Sequence, residues 1–146
     1  MTVYTIGFTK KTAEQFFELI RVNKIQLLID VRLNNASQLD GFSKGRDLKY
    51  FLSAICDCDY THAADFAPTK ELRDRYRSKE ISWKEYEEGY SSLIEDRNCL
   101  GELLEQCGRY ENVCLLCSES EATHCHRRLA AEMLADKDPK IRVRHI

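Results

Sequence analysis

The sequence contains no apolar run long enough to cross a membrane. Its first residues, MTVYTIGFTKK, also lack the basic segment and the apolar stretch that together make up a signal peptide. Because neither a membrane span nor an export signal is seen, we expect a cytoplasmic protein with no membrane partner.

Strong net charge, internal repeats, low-complexity tracts and linker-like segments are absent as well. The formal net charge is -2, so overall charge gives no reason to expect a nucleic-acid partner, although a local basic surface could still bind one. The 146 residues, of which 43% are hydrophobic, are enough to bury a sizeable core. We predict a single domain over residues 1–146.

Cysteine, in contrast, is abundant. The chain has 7 cysteines, an odd number, and several of them lie in apolar runs. In a reducing compartment such residues are more often buried thiols than disulfide partners, so we expect no disulfide framework.

Five short β-rich runs alternate with helical patterns: TVYTIG, IQLLIDVR, DYTHA, NVCLLC and IRVRHI. Nearly continuous apolar residues in IQLLIDVR and NVCLLC are typical of parallel strands covered on both faces. Capping-box pairs predict helix starts near Thr12 and Ser82. The aromatic stripe of the helix that starts near Ser82 is predicted to pack in the core. Helical patterns fill residues 69–108. The sequence therefore predicts an α/β fold, a single-domain three-layer α/β/α arrangement with a mostly parallel central sheet and a helical insertion before the fourth strand.

In an open parallel sheet, ligands bind beyond the carboxyl ends of the strands. Most of the polar residues that could perform chemistry follow those ends in this sequence. We expect anion-binding side chains there, with supporting carboxylates and with candidates for acid–base or nucleophilic catalysis. The anion-binding set is Arg32, Arg127, Lys10, Ser43 and Lys44, supported by Asp30 and Glu119, and the catalytic candidates are His124, His126 and Cys117.

Arg127 is predicted in the first turn of a helix that starts at His124 and is capped by Thr123. A cation at that end of the helix dipole is unfavourable by about 0.3–1 kcal/mol, and a bound anion would reverse the sign. We therefore expect Arg127 to lie near Arg32 at the edge of the sheet, with an anion or a carboxylate between them. The alternative is that Arg127 points away and pairs with a neighbouring glutamate such as Glu119.

Cys114 and Cys117 have the C-x-x-C spacing of zinc and redox sites, but within a strand they point to opposite faces. A metal site is conceivable from Cys117, His124, His126 and Glu119. However, the two histidines are two residues apart at a helix start and diverge by roughly 200°, so we expect no bound metal and no cofactor. Two hypotheses stay open for Cys117: a reactive thiol of the rhodanese type, or a buried structural thiol.

The segments YTIGFT, LLIDVR, GFSK, FAPTKELRDRYRSKEISWKEYEEGYSSLI and LLCSESEATHCHR resemble, in that order, the bacterial and archaeal family known as domain of unknown function 488. The resemblance covers nearly the whole chain and implies a small cytosolic α/β protein. It also implies three recurring polar motifs: DVR at 30–32, GFSK at 41–44 and CHR at 125–127. The family often has His-Ser-Asn after the first strand, where this chain has FTK at 8–10, so the resemblance does not carry a histidine-dependent step to that place.

The leading hypothesis is an enzyme-like protein whose partner is a negatively charged ligand, a nucleotide or a nucleic-acid component, bound at the carboxyl edge of the sheet. The first alternative is a non-catalytic nucleic-acid-binding module. The basic surface for it would come from Arg73, Arg75, Arg77 and Lys79, although a charge run of this kind is usually only a solvated face. The second alternative is rhodanese-like thiol chemistry at Cys117. The sequence does not predict an oligomeric state.

Overall fold

The computed structural model describes residues 1–146 and contains one sheet of five strands, all parallel. In the spatial order β3-β2-β4-β1-β5, the strands are β1 (Thr2–Gly7), β2 (Leu27–Asp30), β3 (Asp59–His62), β4 (Asn112–Cys117) and β5 (Arg142–His145). The register sets Gly7 beside Cys117 and Asp30 beside Leu116. The three central strands therefore end nearly level at one edge of the sheet.

Six α-helices connect the strands: α1 (Ala13–Val22), α2 (Gly45–Phe51), α3 (Lys70–Arg77), α4 (Trp83–Arg97), α5 (Leu100–Cys107) and α6 (His126–Lys137). Short 3₁₀ segments at Gln38–Ser43 and Ala64–Phe66 and a π-helical turn at Leu52–Cys56 lie between them. Because α3, α4 and α5 separate β3 from β4, the predicted helical insertion is confirmed. Both capping boxes are formed, with the side chains of Thr12 and Ser82 each accepting from the backbone N–H three residues later.

The sheet is covered on both faces, which confirms the three-layer arrangement. Alternation along β4 sends Leu115 and Cys117 to the face covered by α4 and α6. Cys114 and Leu116 face the opposite layer, formed by α1 and α2. The C-x-x-C pair therefore does not converge, as the strand period predicts.

The aromatic stripe of α4 packs against the sheet as the sequence predicts. Tyr86 and Tyr90 are buried, and Trp83 packs partly buried at the margin of the same cluster. The hydroxyl of Tyr90 donates to the Phe66 carbonyl at 2.7 Å, which satisfies its polar group inside the core. None of the helices has the length and apolar character that would let it span a bilayer.

The helix that follows β4 begins two residues later than the sequence predicts. Its first residue is His126 and its N-cap is Cys125, while Thr123 is exposed and makes no capping bond. A turn closed by the Cys125 N–H and the Ala122 carbonyl, 3.1 Å apart, leaves His124 outside the helix. The prediction of a Thr123 cap is therefore wrong, because this turn takes Thr123 and His124 out of the helix and makes Cys125, whose sulfur lies within 4.8 Å of that of Cys117, the N-cap.

Leu115 tests the central position of β4. Its side chain is completely buried between β4 and the helices, so Leu115→Ala should lower the free energy of unfolding by about 2–5 kcal/mol in urea denaturation. Leu39, which is 96% exposed, provides the control, and Leu39→Ala should change that free energy by no more than about 0.5 kcal/mol. Equal effects of the two substitutions would contradict the packing described here.

Candidate functional site

A cavity of about 370 Å³ opens at the carboxyl ends of β2 and β4, beside α3 and the start of α6. Three arginines line it, Arg32, Arg73 and Arg77, whereas Glu119 is its only acidic lining residue. Its lining also includes Cys117, Cys125 and His126, which we call the Cys–His cluster. Arginine side chains and two cysteines thus line the same cavity, which we call the arginine cavity.

The Cys–His cluster is built from the last residue of β4 and from the N-cap and first residue of α6. Its two sulfur atoms and a ring nitrogen of His126 all lie within 4.8 Å of one another, and all three residues are buried. Cys117 Sγ is 3.7 Å from His126 Nδ1. On its other side the imidazole is 2.9 Å, through Nε2, from the Val31 carbonyl oxygen just beyond β2. The ring is therefore held between two strands at their carboxyl ends.

The surroundings favour the ionised form of one of the two thiols. A hydrogen bond from Cys125 holds the pKa of Cys117 well below its usual range, against the effect of burial, and His126 acts in the same direction. The same contact, together with burial, raises the pKa of Cys125, which therefore keeps its proton. Burial works to lower the pKa of His126, but the adjacent Cys117 thiolate outweighs it and leaves that pKa raised.

Arg32 lies at the cavity wall in a closed polar network. Its Nε and Nη2 each donate to one carboxylate oxygen of Asp30 at 2.8 Å, and Nη2 also donates to the Ser43 carbonyl at 2.6 Å. Asp30 in turn accepts from the Tyr60 hydroxyl at 2.7 Å. Asp30 is completely buried and Arg32 almost so. Most of the donors of Arg32 are thus engaged within the protein, which limits what it can offer to a ligand.

Arg127 lies elsewhere. Its guanidinium donates to the carbonyls of Glu119 and Ser120 and to Thr5 Oγ1 on β1. It lines a separate cavity of about 560 Å³ with Lys11 and His145. The structure therefore does not bring Arg127 and Arg32 together as the sequence predicts, because Arg127 extends over β1 on one side of β4 and Arg32 stays with β2 on the other.

The loop held by Arg127 crosses β1 closely enough to require a glycine there. A Cβ atom added to Gly7 would lie 1.7 Å from the carbonyl oxygen of Glu119 and 2.6 Å from its carbonyl carbon. Both are backbone atoms and cannot move aside without shifting the loop. Gly7 therefore fixes how near the residues after Cys117 can approach the sheet.

The remaining predicted residues divide between the cavity and its surroundings. Glu119 and the exposed His124 line the arginine cavity, with the His124 ring 4.9 Å from that of Trp83. Ser43 is buried behind Arg32 and donates to the Asp40 carbonyl at 2.9 Å. Two lysines lie outside the cavity: Lys10 lines a third one and Lys44 precedes α2.

The cavity also contains residues that the sequence does not predict as site residues, and the ones with the most evident chemistry are Arg73, Arg77 and Cys125. The sequence predicts for Arg73 and Arg77 only the basic surface of a nucleic-acid-binding module or a solvated face. Their spacing of four puts both on one side of α3, and that side faces the cavity. Cys125 was noted only as part of the CHR motif. Its proximity to Cys117 depends on the late start of α6, which the local sequence does not reveal.

The Asp30–Arg32 pair generates a prediction about stability. Asp30→Ala removes the bidentate partner of the buried Arg32 guanidinium and leaves it only the Asp40 carboxylate, 3.5 Å from Nη1, so the free energy of unfolding should fall by about 3–5 kcal/mol in chemical denaturation. Glu18 forms an exposed pair with Arg21, which water and salt screen, so Glu18→Ala should lower the free energy of unfolding far less than Asp30→Ala does. A comparably small loss for Asp30→Ala would show that Arg32 does not depend on Asp30 and is free for another anion.

Comparison with curated proteins gives no significant match, and comparison with solved structures gives none either. A family model does match, and its description is "Domain of unknown function DUF488". The match covers residues 12–134, which include every residue that lines the arginine cavity. It supports the resemblance seen in the sequence motifs. This chain therefore belongs to the DUF488 family.

Proposed function

We propose that the protein is enzyme-like and binds a negatively charged ligand, a nucleotide or a nucleic-acid component, in the arginine cavity. The observation that carries this proposal is the charge imbalance of the lining, in which three arginines and two histidines face one glutamate. Guanidinium groups suit phosphate and carboxylate oxygens because their N–H donors form paired, charge-assisted hydrogen bonds.

Arg73 and Arg77 are the arginines available to such a ligand. The Nε atom of Arg73 is buried and has no hydrogen-bond partner, and its nearest carboxylate oxygen, on Asp74, is 3.9 Å away. Arg77 approaches Glu119 only to 4.0 Å. Arg32, in contrast, is already bound to Asp30 in a bidentate pair. The proposal therefore assigns ligand binding to α3 and a supporting role to Arg32.

Aromatic and imidazole rings beside the arginines fit the remainder of a nucleotide. Tyr76 and His124 line the cavity, with ring centroids 6.4 Å apart. Ring faces of this kind can stack on a base. The imidazole of His124 is exposed, so it can also pass protons between a bound ligand and solvent.

Arg73→Ala and Arg77→Ala should each weaken ligand binding by about 1.5–3 kcal/mol, because each removes a charge-assisted hydrogen-bond donor. Isothermal titration of the purified protein with inorganic phosphate, a nucleoside monophosphate and a nucleoside diphosphate measures the effect. Arg75 provides a matched control in the same helix, since it is exposed, pairs with Glu80 at 3.4 Å and does not line the cavity.

Two outcomes of that titration would contradict the proposal. One is the absence of binding of any of these anions to the wild-type protein, and the other is an equal loss of affinity in the Arg75→Ala control. Labelled single- and double-stranded oligonucleotides complete the series. Binding to a nucleic-acid surface weakens steeply with salt and would depend on Arg75 as much as on Arg77.

A second candidate function is sulfur transfer, which the position of Cys117 favours. Cys117 lines the arginine cavity, and its sulfur is 3.7 Å from Nδ1 of His126. Attack of the Cys117 thiolate on the outer sulfur of thiosulfate would form a persulfide and break the sulfur–sulfur bond, whose electron pair leaves with sulfite. The arginines would hold the dianionic substrate during this step.

Incubation of the reduced protein with thiosulfate, followed by intact-mass and peptide mass spectrometry, tests this step. Cys117 should gain the mass of one sulfur atom, and sulfite should be released in equal amount. Cys117→Ser should abolish both products, whereas Cys107→Ser, which changes a buried thiol outside the cavity, should not. Sulfite release that persists in Cys117→Ser would exclude the mechanism.

A further inference from the structure

We propose that Cys117, Cys125 and His126, which line the arginine cavity, bind one divalent metal ion, zinc or a chemically similar thiophilic ion. This inference goes beyond anion binding, and it does not depend on it. Thiolate sulfur and imidazole nitrogen are the ligands that such ions prefer in proteins.

The orientation of His126 is the first observation that supports a metal. Its Nε2 lies 2.9 Å from the Val31 carbonyl oxygen, which can only accept a hydrogen bond. Nε2 therefore carries a hydrogen whether the ring is neutral or protonated, so Nδ1, which faces Cys117 Sγ, is the nitrogen that a metal ion would take once its proton is displaced. A backbone carbonyl that fixes the tautomer of a histidine in this way is the usual second shell of a metal ligand.

The separation of the ligand atoms is the second observation. Zinc bound tetrahedrally, with Zn–S near 2.3 Å and Zn–N near 2.0–2.1 Å, sets its ligand atoms about 3.5–3.8 Å apart. Cys117 Sγ and His126 Nδ1 are 3.7 Å apart, and all three ligand atoms lie within 4.8 Å of one another. Only small side-chain movements are needed to bring the three atoms onto one ion.

The placement of the group suits a site with one position open. Three protein ligands and a fourth position for water or substrate are typical of catalytic zinc sites. Cys117, Cys125 and His126 all line the arginine cavity, so the fourth position would face the space that holds the anion. An ion there would give an oxyanion a cationic partner in addition to the arginines.

This ligand set differs from the one considered from the sequence. His124 lies outside α6 and packs against Trp83 at 4.9 Å between ring centroids, and Glu119 is exposed near Arg77. Cys125 takes the place of His124 because it is the N-cap of α6 and adjoins the end of β4. A metal on Cys117 would also occupy the lone pair that sulfur transfer requires, so metal binding and sulfur transfer are alternatives.

Titration of the chelator-treated, reduced protein with Co²⁺ tests the proposal, because Co²⁺ reports its ligands by its colour. We expect one ion to bind per chain, with the visible bands of tetrahedral Co²⁺ and a near-ultraviolet charge-transfer band from two thiolates. Zn²⁺ should displace the ion and abolish the bands. Cys117→Ser, Cys125→Ser and His126→Asn should each weaken binding by more than about 100-fold, beyond the loss seen when second-shell groups are removed.

Controls separate the site from surface binding and from misfolding. Cys107→Ser removes a buried thiol elsewhere and should leave the spectrum unchanged, and so should Arg75→Ala, which removes an exposed charge outside the cavity. His126→Cys should keep the ion and add thiolate charge-transfer intensity, and circular dichroism shows whether each variant folds. The proposal is overturned if the folded, reduced protein binds Co²⁺ without a charge-transfer band, or if the band survives Cys125→Ser.

Discussion

A buried guanidinium with no carboxylate partner holds the loop between β4 and α6 in place. Arg127 is 1% exposed, and its donors reach the carbonyls of Glu119 and Ser120 and the hydroxyl of Thr5. Buried charge is costly unless hydrogen bonds satisfy it. Here loop carbonyls supply those bonds, so the loop and the arginine depend on each other. Because this loop joins Cys117 to Cys125, the geometry of the Cys–His cluster depends on the path of the loop.

The arginines around the sheet edge divide according to how their charge is satisfied. Arg32 is satisfied by a buried carboxylate and Arg127 by carbonyls, and both stabilise backbone that surrounds the site. Arg73 and Arg77 lie on α3, and their nearest carboxylate oxygens are 3.9 and 4.0 Å away. Such a division is physically reasonable, because an arginine that holds the scaffold cannot also release its donors to each arriving ligand.

Much of the fold could be predicted from the sequence, because its signals are local. The continuous apolar run NVCLLC indicates a strand buried on both faces, and its alternation correctly separates Cys114 from Cys117. Capping boxes mark two helix starts for the same reason. The rule that ligands bind beyond the carboxyl ends of parallel strands also points to the end of β4, where the Cys–His cluster lies.

The arrangement within the site could not be predicted in the same way. Strand periodicity tells which face a residue occupies but not which strands are neighbours. The order β2-β4-β1 is what separates Arg32 from Arg127. Thr123 has the preferred chemistry of an N-cap, yet it lies in a turn that begins at Ala122, and the helix starts only at His126, beside Cys117. Both outcomes depend on tertiary contacts between residues distant in sequence.

The position of Trp83 has a practical consequence. It is the only tryptophan of the chain, and its ring lies 4.9 Å from that of His124 and 5.7 Å from the guanidinium carbon of Arg128. Indole emission is sensitive to the charge and polarity of such neighbours. When tryptophan is excited selectively over the seven tyrosines, the emission of the unlabelled protein therefore comes from one known ring beside His124, a residue that lines the arginine cavity, and it offers an optical signal for events there.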